Sequence, residues 1–462
     1  MGNDMTKGRP LPIILRFMLT MLVGNIFQQL YNMADTIIVG RFVGADALAA
    51  VGSTGTLMFL VLGVCQGMTT GFSVMTSQRF GAKDEKGVRL SVSNGIILSV
   101  IIIIVMTAVS LLSVRTLLHL MNTPDSIYPF AKQYITLIFA GIACSVFYNL
   151  LAAYLRAVGN SRTPVYFLIL SAALNVVLDL VFIINFKMGV AGAAIATDIS
   201  QGVSAGLSWV YIVRKCPSLR PGAGEWRLDS HMAKNQIRIG LPMALQFGIT
   251  ASGTTIMQAA INLFGPAAVA ATAAAGKLSN LLAQGMMSIG QTMTAYSGQN
   301  FGVRSLPRLK EGIKSALLIQ AVYSAIFGVL YCVLLPCLLP VFFTAGTDLK
   351  ELLPYAWTYA WQCAVMFFPL SCIFIFRNTM QGCGYALLPT CCGIVEFFSR
   401  LGAALLSMKF HSFALAAGCD PVAWLCGSIF GLAAWLWVIK DLPRRLKLEE
   451  FEHTEKSPIH TF

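Results

Sequence analysis

An aspartate stands inside the apolar run LYNMADTIIVG, residues 30–40, and Asp35 is the first of a few side chains here that can do chemistry. Placing a carboxylate in hydrocarbon costs roughly 2.5–3.5 kcal/mol on insertion scales, so such a group commonly marks an ion or substrate path. A second set lies in LNVVLDLVFI, where Asn175 and Asp179 are four residues apart and share one helical face. An amide oxygen beside a carboxylate can ligate sodium, or hold a carboxylic acid through hydrogen bonds. Thr197 and Asp198 offer a further hydroxyl and carboxylate. Plainer roles compete: snorkelling of Asp35 to the outer interface or capping of the turn at Gly40, capping of a helix end by Asp179, and structural hydrogen bonding by Asp198.

The second half of the chain carries different groups. Lys277 sits ten residues into an apolar run, about 15 Å deep at 1.5 Å per residue. Glu396 and Arg400, at i and i+4 in EFFSR, can pair along one helix, either as a neutralised structural element or in gating and substrate work. Gln258 and Asn262 are amides on a neighbouring run. Met257, Gln284, Met286, Met287, Tyr296, Phe367 and Phe368 are candidates to line an accommodating cleft, because thioethers and flat rings adapt to varied ligands. Ordinary packing is the bland reading of each.

These groups must be positioned by membrane-spanning helices. Of 462 residues, 56% are hydrophobic and only 11% charged, with a mean hydropathy of +0.71. That leaves too little polar surface for a water-soluble fold of this size. Twelve spans are expected, near 14–39, 47–77, 90–114, 130–155, 164–185, 189–213, 237–263, 267–298, 313–343, 353–379, 388–408 and 412–438. Several exceed the minimum length, which implies tilt or protrusion. The run GVAGAAIATDISQGVSAG and the GxxxG spacings at Gly63, Gly67 and Gly71 and at Gly427 and Gly431 suit close helix packing.

Lys and Arg crowd one side: the N-terminus, loop 2–3, Arg156 and Arg162, the central loop, loop 8–9, Arg377 and the C-terminal tail. By the positive-inside rule both termini are expected in the cytoplasm of a multi-pass cell-membrane protein. The net charge of +13 is then topological and gives no reason to invoke nucleic acid. No cleavable signal peptide is expected, since the first apolar stretch flows into a span. The twelve cysteines form no CxxC, and neither disulfides nor a zinc site are expected. HExxH, DDxxD and nucleotide-binding Gly-Lys motifs are absent from the sequence, which argues against an enzyme or an ATP-driven pump.

An internal repeat organises the chain. GADALAAVG at 44 matches GPAAVAATA at 265, TSQRFGAK at 76 matches SGQNFGVR at 297, RAVGNSRTP at 156 matches QGCGYALLP at 381, and WVYIVRK matches WLWVIKD. The expected fold is all-α, with twelve transmembrane helices in two parallel six-helix lobes around a central cleft. The divisions are residues 1–213 for the N-lobe, 214–236 for a cytoplasmic linker, 237–440 for the C-lobe and 441–462 for a cytoplasmic tail. Aligned through the repeat, Asn175 and Asp179 fall on Arg400 and Ala404, which confines the acidic constellation to the N-lobe.

The motifs YNMADTIIVG, QRFGAK, RAVGNSRTP, LNVVLDLVFI, GVAGAAIATDIS, GQNFG and RNTMQGCGYALLP stand in an order and spacing similar to those of the multidrug and toxic compound extrusion (MATE) family, along nearly the whole chain. The closest resemblance is to its DinF-like branch. The resemblance implies cation-coupled efflux of amphipathic, often cationic, compounds, with Asp35, Asn175 and Asp179 as the cation site and H⁺ or Na⁺ as the coupling ion. Other relatives carry an acidic group on the seventh span, where this chain has Gln258 and Asn262. The expectation is a secondary antiporter by alternating access, working as a monomer among membrane lipids without a cofactor. The alternative is a lipid-linked precursor flippase of the same superfamily, which the acidic groups oppose and Lys277 and Arg400 keep open.

Overall fold

The structure, a computed structural model, describes residues 4–121, 123–343 and 349–455, with side chains up to 446. Among the described residues there is only helix, turn and loop. The first half comprises α1 (Pro10–Phe42), α2 (Ala45–Gly81), α3 (Glu85–Leu120), α4 (Tyr128–Ala140), α5 (Ile142–Ala157), α6 (Arg162–Leu180) and α7 (Val190–Lys215). The second comprises α8 (Ser230–Asn262), α9 (Gly265–Gly302), α10 (Leu306–Leu338), α11 (Leu349–Val365), α12 (Phe367–Gly382), α13 (Leu387–Phe410), the short α14 (Phe413–Ala417) and α15 (Cys419–Glu455). The α4–α5 pair is one pass bent by 48°, and α11–α12 one pass bent by 46°. With those joined, the chain passes from end to end twelve times.

The passes are longer than their apolar runs because polar residues start them. Pro10 opens α1, where a missing N–H costs nothing. Asp84 caps α3 by accepting from the Gly87 N–H at 2.8 Å, and Asp229 caps α8 through the Met232 N–H at 2.8 Å. Among the described residues seven helices are long and apolar enough to cross a bilayer on composition alone, or up to nine with each bent pair as one span. The remaining passes, α7, α8 and α9, are rich in Ala, Gly, Ser, Thr and Gln. In α9 most residues are buried against protein, so lipid does not set its composition.

The repeat is visible in the backbone. Left-handed residues recur at matched places: Gly44 with Gly265, Lys83 with Arg304, Gly159 with Gly384, and Gly189 with His411. Both bent passes break at matched positions too, Gly141 and Met366. The expected linker is shorter than 214–236, because α7 runs to Lys215 and α8 starts at Ser230. It lies on α3, where the Arg89 Nε donates to Glu225 at 2.9 Å and the Asp229 N–H to Asn94 Oδ1 at 2.8 Å. The Gly222 N–H, at 2.7 Å, and Arg89 hold the Glu225 carboxyl below its ordinary range. The expected tail from 441 instead begins as helix, since α15 continues to Glu455. Residues 456–462 lie outside the described residues.

The two halves meet at the end that holds the linker. A methyl on Gly71 would lie 2.3 Å from Gly240 Cα, and one on Gly67 2.7 Å from the Ala244 backbone, so the small-residue stripe of α2 is the seam with α8. Gln78 donates to the Gly382 carbonyl at 2.8 Å, and its repeat counterpart Gln299 donates to the Ala157 carbonyl at 2.8 Å. The N-terminal segment joins this seam: the Met5 N–H donates to Gln299 Oε1 at 2.9 Å, and Arg308 donates to the carbonyls of Met5 and Gly8. Toward the far end α2 and α8 part, with open space around Gly52 and Gly55. The lobes are closed at the linker end and separated at the other.

Candidate functional site

A cavity of about 600 Å³ enters this opening and extends into the N-lobe. One stripe of α1 lines it: Asn25, Gln28, Asn32 and Asp35, spaced at three and four residues. Gln66 and Phe59 of α2, Tyr134 of α4, Tyr148, Asn149 and Arg156 of α5, Phe247 of α8 and Gln291 of α9 are among its other polar and aromatic lining residues. The stripe was readable in the sequence as amides at helical spacing ahead of Asp35, yet attention to charge alone passes it over. The α1 helix is unbroken through Gly24, packed on Val165, and Gly40, packed on Leu48. Asp35 therefore does not cap a turn at Gly40.

Behind the cavity wall the N-lobe brings Asp35, Asn175 and Asp179 to one interior. Asp35 is 8% exposed, and Asn175 and Asp179 are wholly buried. With its amide turned so that both ends are satisfied, Asn175 donates to Asp179 Oδ2 at 3.2 Å and accepts from the Thr197 N–H at 3.2 Å. The Tyr134 hydroxyl turns to Asp35, and Asp179 lies within electrostatic reach of Asp35. Tyr31 and Tyr134 lie in the field of Asp35, Asp179 and Asp198 together. One oxygen of each inner carboxylate, Asp35 Oδ1 and Asp179 Oδ1, has no hydrogen-bond partner, nor has the Tyr31 hydroxyl. Below Asp179, α6 passes into a π-helical turn, Val181–Asn185.

Asp198 shares that field but makes a contact of its own. Its carboxylate rests on Gly141, where a methyl would lie about 2 Å from it, at the break between α4 and α5. It is half-buried and neighbours Cys144. Among the described residues no three His, Cys, Asp or Glu side chains gather as a metal-binding group. The inner set is two carboxylates, an amide and two phenols. Two enclosed negative charges with few donors call for a counter-charge, which one proton or one small monovalent cation supplies.

The C-lobe differs from expectation. Glu396 and Arg400 do pair, at 3.7 Å, but within a larger network. Arg400 Nε donates to Asp420 Oδ1 at 2.6 Å, and Arg377 Nη1 reaches Glu396 at 3.6 Å. Arg377, counted among the linker-side cations, lies on α12 with its guanidinium over Phe374. Acidic groups are thus not confined to the N-lobe; in the C-lobe two arginines balance two carboxylates. Asp420 is the counterpart of Asp198 in the repeat, and the pattern HSFALAAGCD against GVAGAAIATD carried that signal.

None of the expected C-lobe cleft residues lines the cavity. Lys277 is exposed, apart from Glu396, with its ammonium 6.0 Å from the Phe342 ring centre near the far end; its long stem lets the charge rise toward the interface. Tyr296 is a core residue donating to the Arg308 carbonyl at 2.9 Å. Gln284 is buried and bonded along its own helix to the Asn280 carbonyl. Gln258 is exposed and donates to Asn262 at 2.8 Å. Met257 packs against Ala260 and Ala403, and Met287 is 38% exposed. Met286 and Phe367 are fully buried core, the latter stacked on Tyr331, and Phe368 is partly exposed.

The family model MatE matches residues 21–181 and 242–405, one segment in each lobe. The chain belongs to the MatE family. It is therefore a multi-pass membrane transporter and not an enzyme. It is similar to the "Probable multidrug resistance protein YpnP" of Bacillus subtilis, 30% identical over 66% of this chain and 68% of that protein. It is also similar to the "Probable multidrug resistance protein NorM" of Thermotoga maritima, 25% identical over 94% of this chain and 90% of that one. Among solved structures, the "Outward-facing conformation of a multidrug resistance MATE family transporter of the MOP superfamily" superposes with a TM-score of 0.88 at 22% identity, covering 95% of this chain and 98% of that one. The fold is thus the MatE fold, twelve helices in two six-helix lobes.

Proposed function

We propose that this MatE protein is a secondary antiporter that exports cationic or amphipathic organic compounds, driven by inward H⁺ or Na⁺ flux. The carrying observation is the pair of unpartnered carboxylate oxygens, Asp35 Oδ1 and Asp179 Oδ1, enclosed in the N-lobe beside a cleft open at one end only. The excess of Lys and Arg at the linker end supports a cytoplasmic placement of that end and of both termini. In that orientation the cleft faces outward. Relatives named as multidrug resistance proteins support organic compounds as cargo.

A coupling ion drives a cycle only by binding the two states differently. Here the outward-open state offers Asp35 at the cavity wall and Asp179 behind it, so a cation or proton that enters and is shared between them offsets one of the two negative charges. That lowers the cost of enclosing the pair, and the lobes can then rock to open the linker end. The chain acts as a monomer, since the cleft and inner set are complete within it. The test is efflux from proteoliposomes under an imposed pH or sodium gradient. Wild type should export a cationic dye under at least one gradient, and Asp35→Asn should not. Full gradient-driven efflux by Asp35→Asn overturns the reading. Gradient-independent movement of a lipid-linked precursor, without dye export, selects the flippase instead.

A further inference from the structure

Two charged side chains line the cavity, and only one has been used. Asp35 belongs to the inner carboxylate set; the other is Arg156, in the last turn of α5. Its place among the linker-side cations suggests a water-facing residue, but the structure puts it half-buried at the closed end of the cavity. There it has no partner of opposite charge. Among the described residues no carboxylate lies within ion-pairing distance, whereas the half-hidden Arg377 and the buried Arg400 are both paired. Nor does Arg156 donate to the carbonyls that end its own helix; the nearby Tyr148 hydroxyl already donates to the Pro164 carbonyl at 3.1 Å.

A guanidinium offers five N–H donors in a planar fork that fits a carboxylate through two parallel hydrogen bonds. An unpaired one in a confined cleft is costly unless a ligand supplies the acceptors. We propose that Arg156 anchors the carboxylate of an amphipathic substrate at the floor of the cavity, with the apolar body lying along Met21, Val165, Phe59 and Phe247. This rests on the efflux reading of the same cavity and assigns to Arg156 the discrimination between a free carboxylate and its ester. The anchor is remote from the ion site. Val165 meets α1 at Gly24, and Asp35 lies roughly 15 Å further along that helix. At that distance a bound carboxylate barely couples to Asp35 through a wet cleft.

The test uses two dyes that differ only in a carboxylate: rhodamine 110, which carries it free, and rhodamine 123, its methyl ester. Fluorescence anisotropy on the full chain in lipid nanodiscs gives both affinities. Wild type should bind the free acid about tenfold more tightly than the ester, the scale of a charged hydrogen-bond pair. Arg156→Gln should abolish that preference, with thermal melting in the same nanodiscs to report folding. Arg156→Lys keeps the charge but loses the fork, and should retain about threefold of the preference. Equal affinities in wild type, or a preference that survives Arg156→Gln, overturns the anchor but leaves cation efflux standing. Where Arg156→Gln does not fold, the wild-type preference and its reduction in Arg156→Lys decide. Wild type binding neither dye overturns the efflux reading and the anchor with it.

Discussion

The two lobes grow from one plan and put opposite chemistry at one position. In the N-lobe, Asn175 is an uncharged amide held between Asp179 and the Thr197 backbone, and two carboxylate oxygens nearby lack partners. In the C-lobe the matched residue is Arg400, whose guanidinium spans Glu396 and Asp420, with Arg377 on the far side of Glu396. The C-lobe carries its counter-charge covalently, whereas on the proposed antiport reading the N-lobe takes one from solution. A tethered cation neutralises without leaving, so it holds a structure together; a borrowed one can be taken up and released, so it can do work. Matched glutamines bridge the seam from both lobes, yet the buried charge sets of the two lobes differ.

The largest expected effect comes from erasing this difference. Asn175→Arg would install the tethered cation beside Asp179, and gradient-driven efflux in proteoliposomes should vanish along with its ion dependence. The larger side chain should also strain the core by about 1–3 kcal/mol, so folding is to be checked by thermal melting. Retained, ion-dependent efflux would show that the N-lobe charge is not the coupling element. Asp179→Asn should likewise stop gradient-driven efflux, by removing the charge with little change of shape, and should leave insertion and melting intact.

Breaking the C-lobe network should act on stability before transport. Arg400→Ala leaves Glu396 with Arg377 alone and Asp420 with no cation, and should destabilise the fold by about 3–5 kcal/mol in a melting or denaturant series. Replacing Arg400 and Asp420 together by apolar residues of similar size should recover most of that loss. A stable Arg400→Ala variant with altered ion dependence would mean that both lobes couple.

The seam predicts a smaller effect. Gln78→Ala removes one bond between the lobes, worth about 0.5–1.5 kcal/mol, whereas Gln299→Ala removes two, the bond to the Ala157 carbonyl and the one accepted from the Met5 N–H. Spin labels across the linker end should show the open population rising by up to about tenfold for Gln78→Ala and further for Gln299→Ala. A response from only one would show that the matched bonds do not share the load. Smallest of all, Lys277→Gln should leave efflux within about twofold of wild type, since Lys277 is exposed and outside the cavity.

Much of this was legible in the residues. An aspartate in an apolar run, and an amide and an aspartate at i and i+4, mark the N-lobe set because each is costly where it stands. The Glu396–Arg400 pair was legible for the same reason, since both members lie on one helix. Asp420 and Arg377 were not, because their partners come from other helices and sequence spacing says nothing about distance between helices. Tyr296 and Phe367 read as cleft residues because an aromatic side chain has the same composition in a core and in a cavity.

By itself the sequence determined the twelve passes, their parallel repeat and the presence of buried acids. Hydrophobic run length, matched motifs and the cost of charge in hydrocarbon are local properties. Only the tertiary structure decided which buried charges are paired, which end of the cleft is shut and which face of α1 lines it. Those depend on the approach of helices far apart in the chain. At the seam that approach is set by Gly71 against Gly240, where one added methyl would hold the two lobes apart.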